Sequence, residues 1–263
     1  MSLKQAHPLK YSVHTRLREF HLKRLLSDIP KGRLLDVGCG LGYLIETLGQ
    51  NYNCVGMEYD IHALKTNRDR GLVHIVQGNA TKLPFEDGVF DVVICSEVLE
   101  HLPDGMDEKT LNEIARIIKP GGRLFITVPS LEGIRAKSTL RNIGHDDPTG
   151  GEYHYRIGYA WKDIKEIIDR VSSFKLLKRR YSMFLFSEIF MDLLKLVYLN
   201  KNAMKEHSDI MEVKDSFLFR MYRLIFPYLY FLFVCEDVLL ASIFKGHILI
   251  LELERKIDRE GVS

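Results

Sequence analysis

The sequence predicts an α/β fold in which a seven-stranded, mostly parallel sheet carries helices on both faces. Short apolar runs alternate with helical stretches along the chain, which is the order typical of parallel sheets. One of these runs, residues 90–95 (FDVVIC), is almost entirely apolar, as expected for a strand buried on both faces. The length of 263 residues, of which 46% are hydrophobic and 27% charged, fits one such domain with an elaboration.

The charge balance argues against nucleic acid as a partner. Lys and Arg number 37 and Asp and Glu 35, so the net charge of +2 gives no electrostatic footprint for nucleic acid. The N-terminal residues are polar and show no signal peptide, so we predict a cytoplasmic protein. The scattered cysteines are typical of reduced thiols in an intracellular protein and predict no metal site: Cys39, Cys54, Cys95 and Cys235.

A glycine-rich turn follows the first predicted strand, Arg33–Val37, and leads into a helical stretch. Such a turn brings backbone N–H groups and the positive end of a helix close to a ligand, which suits a nucleotide or a carboxylate. The dinucleotide pattern G-x-G-x-x-G fails because Tyr43 stands at its third position, and Asp36 instead precedes the glycines. Three glycines occupy alternate positions: Gly38, Gly40 and Gly42.

With Asp36 ahead of the glycines, the stretch LDVGCGLG resembles the first motif of class I S-adenosylmethionine (SAM) dependent methyltransferases, most closely their type 11 branch. The blocks SEVLEHL (96–102) and KPGGRLFITVP (119–129) are similar to later motifs of the same branch. The resemblance covers about residues 30–180 plus the last strand. It implies a Rossmann-like fold, SAM as cofactor and methyl transfer to a small-molecule or lipid-like acceptor.

The resemblance also implies which residues hold the cofactor. Glu58 comes 22 positions after Asp36 at the tip of the second predicted strand, where a carboxylate can accept both ribose hydroxyls. Asn79 stands where the family usually has Asp, and its amide oxygen can still accept from the adenine amino group. The expected cofactor contacts are Asp36, Gly38, Cys39, Gly40, Glu58, Tyr59, Asn79, Ala80 and Ser96.

Two histidines are candidates for the base that removes a proton from the acceptor, His101 and His154. A structural role for His101 is an equal alternative. His154 belongs to a polar loop, residues 141–156, which is interpreted either as a lid over the acceptor or as an exposed turn. The basic helix predicted at residues 11–26 has two similar interpretations, a solvated face or a group of ligand contacts: Tyr11, His14, Arg16 and Arg18.

The predicted sixth and seventh strands, residues 174–180 and 247–253, are far apart in sequence. We therefore divide the chain into a SAM-binding domain, residues 1–180 plus 246–263, and an apolar helical insert, residues 181–245. Within the insert, residues 224–235 carry no charge, but twelve residues are too few to span a bilayer. The insert is expected to be a cap, a homodimer interface or a membrane-docking element. Glu236 and Asp237, directly after it, favour a protein cover over anionic lipid.

Two functions from different classes follow from these observations. The first is SAM-dependent methyl transfer to a small or lipid-like acceptor. The alternative is a non-catalytic SAM-binding subunit that uses the apolar insert to bind a partner or a membrane. The motifs predict the cofactor pocket in both cases and do not identify the acceptor.

Overall fold

The computed structural model describes residues 7–133, 155–199 and 217–257 of the chain. In this part, seven strands form one sheet in the order β3-β2-β1-β4-β5-β7-β6. Only β7 runs antiparallel to its neighbours among these strands, so the predicted fold class is confirmed. The strands are β1 Arg33–Val37, β2 Asn53–Glu58, β3 Ile75–Gln77, β4 Phe90–Ser96, β5 Ile118–Pro129, β6 Phe174–Ser182 and β7 Ile248–Arg255.

The helices of the described residues cover both faces of this sheet. On one face the buried side chains of α4 and α5 pack on the strands; on the other, those of α1, α2, α3 and α7 do so. Short 3₁₀ turns occur at Pro8–Tyr11 and Leu99–His101. The helices are α1 Val13–Leu26, α2 Tyr43–Leu48, α3 Ile61–Asp69, α4 Met106–Ile117, α5 Trp161–Val171, α6 Leu185–Leu199 and α7 Phe217–Leu240.

The strands have side chains in both cores because successive residues point to opposite faces. Leu34 and Leu35 of β1 are both fully buried, one in each core. This explains why β1 and β4 appear in the sequence as nearly continuous apolar runs rather than as alternating ones. The strand order reverses between β1 and β4, and ligands of open α/β sheets bind at the carboxyl ends of strands at such a reversal.

The predicted start of β5 is wrong, whereas β6 and β7 differ from their predicted bounds by one or two residues at their ends. The sequence Pro120-Gly121-Gly122 suggested a turn ahead of a strand, but β5 already begins at Ile118 and includes all three residues. The pairing with β4 shifts from Phe90↔Ile118 to Val92↔Arg123, so the extra residues form an irregularity inside the strand. Gly121 has φ +78°, a conformation that glycine adopts without strain. A Pro-Gly-Gly sequence therefore marks a bulge here, not the end of a strand.

The insert between β6 and β7 contains α6 and α7 within its described residues. Helix α7 packs on α1 of the sheet domain: Tyr222 donates to the carbonyl of Tyr11 (2.6 Å) and Tyr230 to that of Arg16 (3.3 Å). No helix in the described part of the chain is long and apolar enough to cross a membrane, as predicted for this segment.

Candidate functional site

The glycine turn after β1 is held against the end of β2. The N–H groups of Gly38 and Cys39 both donate to the carbonyl of Met57, at 2.8 and 3.0 Å. All three glycines of the turn have positive φ, and Gly42 begins α2 in the left-handed conformation. The turn is thereby fixed at the point where the sheet changes direction.

The glycines of this turn have different roles, which the sequence does not distinguish. A Cβ atom added to Gly38 would lie 2.5 Å from Cγ2 of Val98, so this glycine is needed for packing. A Cβ atom on Gly40 would meet nothing within 4 Å. The space that a ligand can use therefore lies beside Gly40. The expected contact between the Gly38 backbone and the cofactor stays a prediction.

Glu58 at the end of β2 borders the same open space. One carboxylate oxygen accepts from the N–H of Gly40 (2.7 Å), and the other accepts from the N–H groups of Tyr59 (2.7 Å) and Asp60 (2.9 Å). Three backbone donors thus hold the carboxylate at the strand tip and use three of its four acceptor sites, so a pair of ribose hydroxyls would have to replace at least one of these N–H bonds. The Tyr59 side chain, directly after Glu58 in the sequence, is 73% exposed.

Asp36 lies beneath the turn and is almost fully buried. Burial raises the pKa of this carboxyl to about 7, although the nearby Arg18 guanidinium lowers it and the Glu58 carboxylate raises it further. A second cation at this place would favour the ionised form. The turn therefore holds a buried carboxyl whose pKa lies well above its ordinary value, as is common at functional sites.

Helix α1 carries Arg18 over the ends of β4 and β5. Its guanidinium donates to Oγ of Ser96 (3.2 Å) and lies 3.9 Å from the Glu97 carboxylate. The Ser96 hydroxyl in turn shares a hydrogen bond with that of Thr127 (2.8 Å). Glu97 has φ +55°, an unusual value for a side-chain-bearing residue that occurs often at functional sites. Of the two interpretations of the basic helix, the structure supports contacts at the site for Arg18.

Arg16 of the same helix is engaged elsewhere. Its guanidinium donates to Glu19 (2.6 Å) and to the Tyr43 hydroxyl (3.0 Å), and it stacks on Tyr230, 4.7 Å from the ring centre. These contacts tie α1 to α2 and α7. The basic face of α1 is therefore mostly paired within the protein and not simply solvated.

The expected adenine contacts lie at the end of β3. The Asn79 side-chain oxygen accepts from both the N–H and the hydroxyl of Thr81, each at 2.9 Å. Because these bonds use both lone pairs of the oxygen, the acceptor role expected for Asn79 would require their release. Ala80 is buried in the same hydrophobic core as Leu83, and these apolar side chains form one side of the site.

Of the two predicted bases, His101 is among the described residues and His154 is not. His101 lies in the 3₁₀ turn that follows β4, on the carboxyl side of the sheet, and is half-buried. His154 and the acidic and histidine residues before it in the polar loop lie outside the described residues. Among the residues that are described, no group of three or more His, Cys, Asp or Glu could hold a metal ion.

A histidine cluster at the same edge of the sheet was not predicted. His247 directly precedes β7, and its carbonyl accepts from the N–H of Ser130 at the end of β5 (2.6 Å). Its Nδ1 lies 3.2 Å from Oε1 of Glu188, which is contributed by α6, and both side chains are buried. The ring of His14, one helical turn before Arg18, meets the His247 ring edge-on at 5.6 Å.

These residues are far apart in the sequence, which is why the pattern gave no sign of the cluster. Only the sheet topology brings the start of β7 beside the end of β5, and only the insert supplies Glu188. The one available signal was the spacing of His14 and Arg18, which places both on one face of α1. The edge of the sheet thus has a cofactor side, at β1, β2 and β4, and a histidine side, at β5 and β7.

The arrangement fits an adenosyl cofactor. The open space at Gly40, the fixed Glu58 carboxylate, the apolar wall at Ala80 and the Arg18 guanidinium are each suited to a different part of such a molecule. A ribose needs an acceptor for two hydroxyls, an adenine needs an apolar surface, and an amino-acid carboxylate needs a cation.

Comparison with known proteins gives the same result. A family model described as a methyltransferase domain, type 11, matches residues 35–126. The demethylmenaquinone methyltransferase of Anoxybacillus flavithermus is 33% identical over 141 residues, which are 48% of this chain and 58% of that protein. The one from Mycolicibacterium vanbaalenii is 31% identical over 157 residues, 55% of this chain and 68% of that protein. The matched region is thus little more than half the length of the first relative.

Solved structures share the fold over almost the entire chain. A SAM-dependent methyltransferase from Thermotoga maritima, described as a possible histamine N-methyltransferase, superposes with a TM-score of 0.59. The match covers 95% of this chain and 92% of that one at 16% identity, so it shows the fold alone. Together with the curated relatives, it leads to one conclusion. The chain belongs to the class I S-adenosylmethionine-dependent methyltransferases, in their type 11 branch, and its cofactor is S-adenosylmethionine.

Proposed function

We propose that this protein transfers a methyl group from SAM to a small, lipid-like acceptor. When bound, SAM supplies a methyl group that its sulfonium already activates, so the protein mainly has to align the reactants and exclude water. The open space beside Gly40, bordered by the Glu58 carboxylate, is the observation that carries this proposal. Glu58 would bind the ribose hydroxyls and Arg18 the carboxylate of the amino-acid part.

The acceptor class is inferred from two observations. Curated relatives are named demethylmenaquinone methyltransferases, which indicates acceptors with a quinone-type ring and an apolar tail. The second observation belongs to this chain: α1, which reaches over the site, is itself covered by the apolar helix α7. An acceptor with an apolar tail suits these surroundings better than a sugar or a free amino acid does.

A methyl acceptor must lose a proton, and we propose that the His14–His247 pair receives it. Both rings lie beside the end of β5, next to the side of the site that Arg18 and Ser96 define. The Glu188 carboxylate lies 3.2 Å from Nδ1 of His247, and its negative charge would stabilise a proton taken up by this histidine. His101, at the end of β4, remains the alternative base.

The experiment is an assay for S-adenosylhomocysteine with purified full-length protein, SAM and a panel of acceptors. The panel contains demethylmenaquinone and shorter-tailed hydroquinones, fatty acids and sugars. We expect turnover with a hydroquinone-type acceptor and none with sugars. Glu58→Ala is the control that should remove SAM binding and turnover together. Tight SAM binding without turnover on any acceptor would contradict the proposal and favour the non-catalytic subunit.

The proposed base is tested in the same assay. His247→Gln should lower kcat about a hundredfold or more, the typical contribution of a positioned base, and should leave SAM affinity unchanged. His101→Gln is the matched comparison. The rate is compared at increasing pH in both variants. If the rise of the rate with increasing pH is lost in His247→Gln and kept in His101→Gln, the result supports the His14–His247 pair as the base. The reverse result, with only His101→Gln affected, would transfer the role to His101.

A further inference from the structure

The peptide group between Gly40 and Leu41 is the central one of a tight turn. The N–H of Gly42 donates to the carbonyl of Cys39 (2.8 Å), which closes a four-residue turn around these two residues. Turns of this size differ mainly in the direction of the central carbonyl. Gly40 has no side chain, and a Cβ atom on it would meet nothing within 4 Å, so packing does not fix this direction. Hydrogen bonds therefore decide it.

Two hydrogen bonds hold Gly40, one on each side of its Cα atom. Its N–H donates to Oε2 of Glu58 (2.7 Å). Its carbonyl accepts from Nδ2 of Asn67 (2.7 Å), a completely buried residue of α3. The carbonyl of the next residue, Leu41, accepts from the guanidinium of Arg70, directly after α3 (2.8 Å). Helix α3 and its end thus hold two consecutive carbonyls of the turn.

The side chain of Asn67 is costly at the place it occupies. Its Oδ1 is buried and has no hydrogen-bond partner in the part of the chain that the structure describes. A buried acceptor without a partner lowers stability, and an apolar side chain of the same size would not incur this cost. What such a side chain could not supply is the donor for the Gly40 carbonyl.

The bond from Asn67 also directs the other end of the same peptide group. In a trans peptide the C=O and the N–H point in opposite directions, so the Leu41 N–H points away from Asn67. Among the described residues, this N–H has no hydrogen-bond partner. Backbone N–H groups of glycine-rich turns are donors to negatively charged parts of ligands. The orientation set by Asn67 therefore leaves one backbone donor of the turn unused.

We propose that Asn67 is a positioning residue for the cofactor, because it fixes the Gly40–Leu41 peptide in the orientation that binds SAM. Without its N–H donor this peptide can rotate. The Gly40 carbonyl would then point where the Leu41 N–H points now, and the cofactor would meet an acceptor in place of a donor. This role rests on the proposed cofactor site beside Gly40 and is independent of the methyl acceptor.

A purely structural role for Asn67 is the alternative. Its backbone carbonyl accepts from the N–H of Leu72 (3.0 Å), and this bond does not depend on the side chain. In the described ranges, the side chain itself makes one hydrogen bond, the one to Gly40. A substitution at this position therefore changes a single polar contact, which makes the two roles separable.

Calorimetric titration of the full chain with SAM tests the proposal. Asn67→Leu keeps the size of the side chain and removes the donor, so SAM should bind about tenfold more weakly. Asn67→Asp replaces the donor conditionally, because a protonated carboxyl donates to the Gly40 carbonyl and an ionised one repels it. Relative to the wild type, its affinity should be nearly normal at about pH 5 and fall as the pH rises to about 9, since burial favours the protonated form. Lost packing alone would not be restored at low pH.

The matched control is Tyr52→Phe, which removes another buried donor to a backbone carbonyl. The Tyr52 hydroxyl donates to the carbonyl of Leu26 (3.0 Å). Tyr52 directly precedes β2 and therefore lies at the opposite end of this strand from Glu58. Tyr52→Phe should lower the free energy of unfolding and bind SAM like the wild type.

The proposal is overturned if Asn67→Leu, folded by circular dichroism, binds SAM like the wild type. It is equally overturned if the affinity of Asn67→Asp, relative to the wild type, does not change with pH, and this second result decides alone if Asn67→Leu does not fold. Glu58→Ala separates these outcomes from a failure of the site. Wild-type affinity in Glu58→Ala would reject the site beside Gly40, whereas weak binding there and normal binding in Asn67→Leu would reject only the role of Asn67.

Discussion

The conformation of the glycine turn depends on a few specific residues, whereas the packing of α7 depends on a pattern that many sequences share. At the turn, the proposed cofactor site depends on backbone geometry: positive φ values, the Gly40 N–H that donates to Glu58, and a space beside Gly40. Few residue types satisfy these conditions, so a short motif can mark such a turn. At α7, the packing depends on which side of the helix faces the sheet domain, and many apolar sequences would serve.

This difference shows what a sequence motif can report. The turn is recognised because its chemistry is local, within residues 36–58 and one neighbouring strand. The orientation of α7 is set by contacts over long distances in the chain, such as the one between His21 and Asp237. Which of its faces is buried therefore becomes visible only when the fold is known.

The largest effect on stability is expected at the junction between these regions. Asp237→Ala removes the acceptor for three buried groups of Ser182, Met183 and His21. Since an unsatisfied buried donor costs about 1–3 kcal/mol, we expect the free energy of unfolding to fall by about 3 kcal/mol or more. Denaturant unfolding measures it, with the exposed Leu224→Ala as control, for which a change below about 0.5 kcal/mol is expected. Equal effects of both variants would mean that the inner face of α7 is not fixed as described.

A smaller effect, of opposite sign, is expected at the turn. The folded-state pKa of Asp36 is raised to about 7, so its folded state binds a proton between pH 4 and 7 that the unfolded state releases. Stability contributed by this group is present at low pH and lost as the pH rises towards 7. Asp36→Asn should therefore raise the free energy of unfolding at pH 8, by about 4 kcal/mol at most, and change it little near pH 4.

Asp91 provides the matched control for this prediction. Burial would raise the pKa of its carboxyl, but bonds from Lys119 and from the Arg33 N–H outweigh burial and lower it. Stability from Asp91 is thus present above its ordinary pKa, and Asp91→Asn should destabilise the protein at pH 8. Thermal unfolding at pH 4 and pH 8 compares the two variants. The account of Asp36 fails if Asp36→Asn lowers the melting temperature at pH 8 as Asp91→Asn does.

The sequence predicted the sheet well where strands are apolar and end at a distinctive residue. The bounds of β1 and β2 agree with the prediction, because Gly38 and the pair Glu58–Tyr59 mark clear ends. The start of β5 was missed because Pro-Gly-Gly usually ends a strand, whereas here the irregular pairing with β4 accommodates it. A pattern of residue types cannot tell a bulge from a turn when both favour glycine.

At the site, the sequence pointed to the residues around the glycine turn and not to the histidines. Its motif named Glu58 and Gly40, which lie in contact in the structure, but it did not show that Gly38 also packs closely on Val98. His247 and Glu188 have no motif, since each comes to the site from a different element. The sequence also did not show that the side chains of Glu236 and Asp237 are buried. The position of a charged residue in a sequence does not tell which way its side chain points.

The central claim is that the glycine turn holds the cofactor beside Gly40, and calorimetric titration with SAM of two glycine variants tests it most directly. Gly40 and Gly88 have similar positive φ values, +50° and +62°, and a Cβ atom at either would meet nothing within 4 Å. An alanine at either position costs about 1–2 kcal/mol of backbone strain. Only the Gly40 methyl group would occupy the space beside Glu58. We predict that Gly40→Ala binds SAM at least tenfold more weakly and that Gly88→Ala binds like the wild type. A folded Gly40→Ala protein with wild-type affinity would contradict the account.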